Sequence, residues 1–380
     1  MMLENKRELR TQATCCDDKG NLWFTSNSYN ALFCLDLEAF KVRYVTSFEE
    51  KINYVDSLYT KAIYYDNKII LIPCVSEHIT IYDIEKKVAR YVFIEGKCIS
   101  YNCIRASENT ILLFPVQFEG YAWEFLLNEE KLVKKECFPQ FDKKVIKDHL
   151  PICFLGDGYV NNKIVMAIPW TNLYVVVDLD SYKMYLKEVE GDSRILNIFQ
   201  CGNECCFLSD AGDSCTKYDG EKEYSIAIPF IKKRGILGPN TLMAYSRVVY
   251  AAGIGNICIP VEGNEFRLLD SAAKVWAKVD WKRIKGLTEN SQPFVSVVRY
   301  KDRIIFCPYQ CATWLIYDCT KKVFYYENII ISDDEVHDII TNILFISERK
   351  GLSTQEMYED DGGLSLEWYI GYIKKIKQEE

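Results

Sequence analysis

The sequence predicts an all-β chain, a seven-bladed β-propeller of four-stranded blades with a short C-terminal helical extension. Three observations predict it. A motif recurs: an apolar run ends in Pro or Ser, about ten residues follow, and an aromatic or aliphatic pair leads to an Asp that opens a polar turn. Its spacing is regular, since Asp36 and Asp318 lie 282 residues apart and six intervals average 47 residues. Each copy also divides into four short apolar runs separated by turn residues, the pattern of a propeller blade.

In chain order, Leu22-Trp23-Phe24-Thr25-Ser26 runs to Leu35-Asp36, and Ile69-Ile70-Leu71-Ile72-Pro73 to Tyr82-Asp83. The third copy, Ile111-Leu112-Leu113-Phe114-Pro115, keeps its Pro but has Trp123-Glu124-Phe125 where the Asp would stand. The others end at Asp178, Asp219, Asp270 and Asp318. The second copy predicts its strands most clearly: 62–65, 69–72, 79–82 and 88–94. Asp at the turn accepts hydrogen bonds from backbone two residues on, and Pro ends the second strand because it has no N–H for the ladder. A Lys with an aromatic nearby follows the turn, as in Lys183-Met184-Tyr185, Lys274-Val275-Trp276 and Lys322-Val323-Phe324, and marks the outermost strands. Seven repeats of 47 account for 329 of the 380 residues, which places the propeller in 1–330 and an extension in 331–380. With 11–16 as first strand and 323–329 as last, closure needs no strand exchange. Residues 341–346 fit either an added strand or part of a helix. Leu366, Tyr369, Ile370, Ile373 and Ile376 recur at helical spacing, with lysines in the last turn, predicting an amphipathic helix over 365–377 that docks on the propeller or engages a partner.

The first copy, Asp17-Asp18-Lys19-Gly20-Asn21-Leu22-Trp23-Phe24-Thr25, resembles the Asp-x-x-Gly-x-Leu-Trp-Phe-Thr blade of the virginiamycin B lyase-like and sensor propellers. The resemblance covers about 20 residues and implies the propeller fold. Later copies drift to an Asn/Asp-Lys-Ile-Ile-x-Pro form, so lyase chemistry does not carry over with it. Sialidase Asp boxes, kelch Gly-Gly pairs and the Trp-Asp ends of WD repeats are missing.

Forty-six basic against 54 acidic residues give a net charge of −8, which repels phosphate backbones and anionic headgroups, so neither nucleic acid nor membrane is an expected partner. The first residues contain no apolar leader and no 18-residue apolar span occurs, so a cytoplasmic protein is expected. The 16 cysteines sit mostly in strand interiors, where cysteine acts as a small hydrophobe in a reducing compartment. The nearest approach to a metal pattern is Cys201-Gly202-Asn203-Glu204-Cys205-Cys206 with Cys215 beyond, but Cys-x-x-Cys is absent, and neither a metal nor a cofactor is expected.

Function in a propeller concentrates in loops between second and third strands and between blades, around the channel mouth. Those loops supply Tyr29, Asn30, His78, Tyr121, Trp170, Asn172, Tyr309, Gln310 and Trp314 as candidate binding residues. Aromatic planes beside amides suit a peptide, protein or glycan ligand. Arg105 and Arg194, near first-strand positions, are candidates to point into the channel, where they hold an anionic ligand or pair with a carboxylate. Only three histidines occur, His78, His149 and His337, and no nucleophile elbow, zinc-protease motif or phosphate loop is present. The residues thus favour a non-catalytic recognition module. The alternative is a lyase or glycan-processing enzyme on the same face, with His78 and Glu77 or Asp210 as acid and base. A scaffold using the outer edge and the C-terminal helix is a third reading.

Overall fold

The computed structural model describes residues 9–26, 29–48, 58–95, 101–118, 120–136, 138–140, 153–190, 194–209, 214–227, 234–235, 242–243, 245–251, 253–260, 264–269, 274–287, 293–332, 334–339 and 341–342. They form seven four-stranded antiparallel blades in chain order, the seven-bladed β-propeller fold. Blade 1 comprises β1 (Thr14–Cys16), β2 (Asn21–Ser26), β3 (Ala31–Asp36) and β4 (Lys41–Ser47), and blade 2 β5 (Tyr59–Tyr65), β6 (Lys68–Pro73), β7 (His78–Asp83) and β8 (Val88–Phe93). Blade 3 holds β9 (Tyr101–Ser107), β10 (Thr110–Pro115), β11 (Tyr121–Leu126) and β12 (Lys131–Glu136), followed by the short β13 (Phe138–Gln140). Blade 4 holds β14 (Leu155–Val160), β15 (Lys163–Ala167), β16 (Leu173–Asp178) and β17 (Lys183–Glu188), and blade 5 β18 (Ile195–Cys201), β19 (Glu204–Ser209), β20 (Ser214–Tyr218) and β21 (Glu223–Ala227). A small hairpin, β22 (Arg234–Gly235) and β23 (Leu242–Met243), precedes blade 6, formed by β24 (Tyr245–Ala251), β25 (Gly255–Pro260), β26 (Glu265–Leu268) and β27 (Lys274–Lys278). Blade 7 is β28 (Phe294–Tyr300), β29 (Arg303–Pro308), β30 (Thr313–Asp318) and β31 (Val323–Asn328).

The chain divides into two compact units. Blades 1, 2 and 7 with residues 283–287 and the C-terminal segment form the first, and blades 3 to 6 the second.

In the first unit, a layer of Leu22, Phe24, Phe33, Ile305, Trp314 and Ile316 fills the space between blades 1 and 7. A second layer of Trp23, Leu32, Cys34, Tyr59, Ile69 and Leu71 fills that between blades 1 and 2. Each blade is built from contiguous chain, so blades 7 and 1 meet without strand exchange. The N-terminal segment makes the join: Leu9 N–H donates to the Ile329 carbonyl, Thr11 N–H and hydroxyl both donate to the Pro308 carbonyl, and the Thr14 and Ser296 hydroxyls pair at 2.7 Å. Residues 334–339 and 341–342 are helical, which settles 341–342 as helix and not strand. This helix buries Val336 and Ile339 in the blade 1–7 layer, and Glu335 accepts from Tyr44 N–H on the outer strand β4. Such cover blunts an edge that would otherwise present unpaired backbone groups. Residues 343–346 and the helix expected over 365–377 lie outside the described residues.

The Asp-x-x-Gly turn that opens blade 1 is explained by its contacts. The Asp17 carboxylate accepts from Lys19 N–H, Asn21 N–H, the Asn21 amide and Trp23 Nε1, all within 2.9 Å. Burial alone would raise its pKa, but these bonds bring it below the ordinary value. Gly20 has φ +84°, and a Cβ there would lie 2.7 Å from Tyr300 Cε2 of blade 7, so glycine is required on two counts.

In the second unit, Leu112, Phe114, Met166 and Val175 pack between blades 3 and 4, and Val165, Tyr174, Phe207 and Tyr218 between blades 4 and 5. Strand β13 continues from blade 3 and pairs parallel with the outer strand β17 of blade 4. In β17 the buried side chain is Met184, while Tyr185 is partly exposed.

Hairpin turns follow residue chemistry throughout. Asp66-Asn67 and Asn161-Asn162 both have positive φ at two successive positions, the geometry of two-residue primed turns. At the third-to-fourth-strand turns, Asp36, Asp83, Asp178, Asp219 and Asp318 accept from backbone N–H groups two or three residues on, at 2.7–3.0 Å. Blade 3 makes the same turn without the Asp, with Glu130 in the left-handed region like Phe40, Lys87, Tyr182 and Lys322. Among the described residues no helix is long and apolar enough to cross a membrane.

Backbone N–H donors hold Asp83, Asp219 and Asp318 below the ordinary carboxylate range, and the Ser181 hydroxyl and N–H do so for Asp178. A carboxylate whose folded pKa is depressed contributes stability that is complete above its unfolded value, near 3.9, and is lost as pH falls through the folded value. The urea midpoint is therefore expected to hold between pH 7 and about 5 and to fall progressively below about pH 4. An acid-insensitive midpoint would remove these turns from the stabilising set. Replacing Asp17 with Ala, which strands the Trp23 and Asn21 donors, is expected to cost about 2 kcal/mol in equilibrium unfolding, against less than about 1 kcal/mol for Asp18→Ala.

Candidate functional site

The expected site residues fall into two classes by burial. Tyr29, Asn30, Tyr121 and Trp314 are structural. Tyr29 is buried edge-on against Phe33 at 6.0 Å. Asn30 is buried, donating through its amide to the Phe48 carbonyl while its own carbonyl accepts from Phe48 N–H. Tyr121 opens β11 with its ring against Trp123 and the Lys134 ammonium 4.1 Å over its face. Trp314, expected in a loop, lies within β30 at 0% exposure, packed on Phe24 and Phe40. These four hold the blades together and offer little surface to a ligand. His78 opens β7, its ring edge-on to Tyr91 at 5.3 Å and tilted to Phe93 at 6.4 Å on the outer strand. Arg105 lies on β9, its side chain outside the described set, as are His149, Asp210 and Asp213.

In the second unit two of the expected residues share one loop, and a third stands on the neighbouring connection that this loop bonds. Trp170 and Asn172 lie between β15 and β16, and Arg194 immediately precedes β18. The loop is tightly stapled. Thr171, buried, donates its hydroxyl to the Ile168 carbonyl and accepts from Leu173 N–H, and Ile168 N–H bonds the Leu173 carbonyl. Two further bonds clamp it to blade 5: Trp170 N–H to the Ile195 carbonyl at 3.1 Å, and Ile195 N–H to the Thr171 carbonyl at 2.6 Å. The Asn172 amide donates to Glu188 of β17. Trp170 is 40% exposed despite this framework, and Arg194 is exposed beside it in the backbone register.

The backbone at Trp170 is unusual. Its φ is +67°, and the other ten non-glycine residues with positive φ among those described occupy hairpin turns. A bulky residue in this region is strained by about 1–3 kcal/mol, and such strain persists only where surrounding bonds over-determine it. Nothing in the sequence signals the strain, since Pro169-Trp170 reads as an ordinary loop start.

In the first unit, Tyr309 occupies the matching loop of blade 7, half-buried, with its N–H on the Pro293 carbonyl of its own blade at 2.8 Å. Gln310 is exposed next to it. Cys74 in blade 2 likewise bonds within its own blade, to Leu58. Trp170 differs in bonding the neighbouring blade.

A cleft of about 320 Å³, not anticipated from sequence, opens at the hairpin turns of blades 1 and 7, lined by Cys16, Asp18, Lys19, Leu37, Arg299 and Tyr300. Polar groups around it join neighbouring blades: the Tyr300 hydroxyl of blade 7 donates to Glu38 of blade 1, and Asp18 of blade 1 accepts from the Tyr64 hydroxyl of blade 2. Burial and the Asp17 charge push the Cys16 thiol up to about 12, which keeps it protonated and poorly nucleophilic. Among the described residues no group of three or more metal-ligating side chains converges.

No family model matches the chain, and no curated protein sequence does. Solved structures do resemble it. Virginiamycin B lyase from Staphylococcus aureus superposes with a TM-score of 0.58 at 12% identity, covering 82% of this chain and 95% of that one. The β-propeller domain of Cps50 (Swd1) from Myceliophteria thermophila gives 0.56 at 11%, covering 81% and 97%. The computationally designed Ika8 protein gives 0.51 at 10%, covering 84% and 87%. At these identities the likeness shows the propeller fold.

If Trp170 is held outward for a ligand and not for packing, Trp170→Gly should change the unfolding free energy by less than about 1 kcal/mol, relief of strain offsetting lost contacts and added chain entropy. A loss above about 2 kcal/mol would mark it as a packing residue.

Proposed function

We propose that this chain is a recognition module that binds a peptide, protein or glycan, with the blade 4 loop carrying Trp170 and Asn172, and Arg194 on the adjoining connection into blade 5, at the centre of its binding surface. One observation carries the reading: an exposed tryptophan is held in a strained backbone conformation by a framework of hydrogen bonds. An immobilised aromatic plane loses little entropy when it meets a ligand, and Trp and Arg supply most binding hot spots. The acidic balance of the chain, −8, supports a partner other than a polyanion.

An enzymatic reading finds less support in the same residues. His78 is engaged by the rings of Tyr91 and Phe93 on the outer strand, and His337 lies exposed on the C-terminal helix. Neither is placed in the loop that the backbone strain marks.

The test is capture from native cell extract on immobilised protein, with the retained material analysed for both polypeptides and glycans. The Trp170→Ala, Arg194→Ala double variant, matched to the parent by circular dichroism and thermal midpoint, is expected to retain at least about tenfold less of a component the parent holds. Equal retention by both would reject this loop, and loss on Tyr309→Ala alone would move the surface to blade 7.

A further inference from the structure

The layer between blades 5 and 6 is built unlike the others. Among the described residues, four of the five buried members of its cluster are cysteines, Cys201, Cys206, Cys215 and Cys258, with Leu269 as the fifth. The four other apolar layers described above rest on aromatic and branched side chains, and among the described residues each has at most one buried cysteine. Cross-strand register explains the grouping. Cys206 on β19 faces Phe199 of β18 and Lys217 of β20, so Cys201 and Cys215 lie two residues along on the same face. The Cys206 thiol is within hydrogen-bonding reach of both, and Cys258 of β25 closes the layer from blade 6.

Thiols crowded together suit either a soft metal ion or a disulfide. A metal requires three or more donors converging on a point, and no such group exists among the described residues. The contacts instead run pairwise through Cys206. We propose that the blade 5–6 layer is an oxidation site, at which a hydroperoxide converts the Cys201 and Cys206 thiols into a disulfide joining β18 to β19.

Access and charge assign the roles. Cys201 is 5% exposed, while Cys206, Cys215 and Cys258 are at 0%. Cys201 also ends β18 at the tight turn before β19, where local opening is easiest. Lys217, ion-paired with Glu204 at 3.2 Å, has its ammonium close enough to both thiols to favour their thiolate forms. Cys201, the more exposed of the two and placed at the strand end, is the attacking thiol and Cys206 the resolving one. The Cys201 thiolate takes the terminal oxygen of the hydroperoxide, breaking the O–O bond and releasing one water or alcohol after proton uptake, to give a sulfenic acid. Cys206 then attacks that sulfur, the S–O bond breaks, and its proton leaves with the hydroxide as water. Two thiols and one hydroperoxide thus yield one disulfide and, for hydrogen peroxide, two waters.

The experiment treats the full-length folded protein with hydrogen peroxide, blocks remaining thiols under denaturing conditions, and maps linked peptides by mass spectrometry. A Cys201–Cys206 link forming before any other among the 16 cysteines is the expected result. Cys201→Ser, a substitution at the end of a strand, should slow loss of the Cys206 thiol at least about tenfold. Both thiols remaining fully alkylatable, or a first link elsewhere, would overturn the proposal in the parent protein without recourse to a variant. Retention of zinc or copper(I) at one ion per chain, with protection of these thiols and no link, would overturn it in favour of a metal site.

Discussion

The inner strands of these blades are buried on both faces, and the remaining architecture answers to that constraint. In β2, β6 and β10 every residue after the first is buried. A four-stranded sheet covers neither of its own faces, so a blade is stable only between two neighbours. In the first unit this demand falls hardest where blade 7 meets blade 1, because no shared strand joins them. The join is made by side chains and a few backbone bonds: the Phe24–Trp314 contact at 5.5 Å, Thr11 on Pro308, Leu9 on Ile329, and the helix that follows blade 7. Trp314 serves the fold because this seam needs a large apolar side chain on an inner strand.

The two ends of each blade are consequently different places. At one end lie the hairpin turns, where left-handed residues recur and an Asp acceptor opens the third-to-fourth-strand turn in blades 1, 2, 4, 5 and 7. Repetition of that kind is what a shared structural requirement produces. At the other end lie the second-to-third-strand connections, which share only the closing Pro or Ser and then diverge into Cys74, Trp170 and Tyr309. Side-chain identity there is free of the turn's demands, and among the described residues Trp170 is the one non-glycine residue with positive φ outside the hairpin turns.

Much of this was legible in the sequence. The repeat fixes the number of blades, and the turn residues fix the strands of blade 2 to within a few positions: 62–65 was expected where β5 spans Tyr59–Tyr65, and 88–94 where β8 spans Val88–Phe93. Site residues were less legible, for a physical reason. Alternation of polar and apolar residues tells which face of a strand is buried, but strands buried on both faces do not alternate, so the start of β30 at Thr313-Trp314 reads like a continuation of the loop. The burial of Tyr121 and Asn30 is illegible for the same reason, each standing where a loop passes into a doubly buried strand. The thiol layer was visible only as cysteines in strands. Bringing Cys201, Cys206, Cys215 and Cys258 to one face requires the register of four strands in two blades, which no local pattern contains.

The strain at Trp170 and the cysteines of the blade 5–6 layer are departures from local rules with opposite physical character. At Trp170 an unfavourable backbone is held by an excess of hydrogen bonds, so the cost is met locally and the residue is rigid. In the thiol layer the departure lies in volume and polarizability: small sulfur side chains replace the rings that fill the blade 4–5 layer, where Tyr174 and Phe207 meet at 4.8 Å. A layer of small side chains makes fewer dispersion contacts and is the weaker joint between blades. Rigidity at one blade end and a softer joint one blade further along lie within the same unit, linked by blade 5, whose first strand both receives the Trp170 clamp at Ile195 and ends at Cys201. The seven residues of β18 therefore connect the strained loop to the thiol layer, and any change in the pairing of β18 with β19 acts on a strand whose other end is fixed to Trp170.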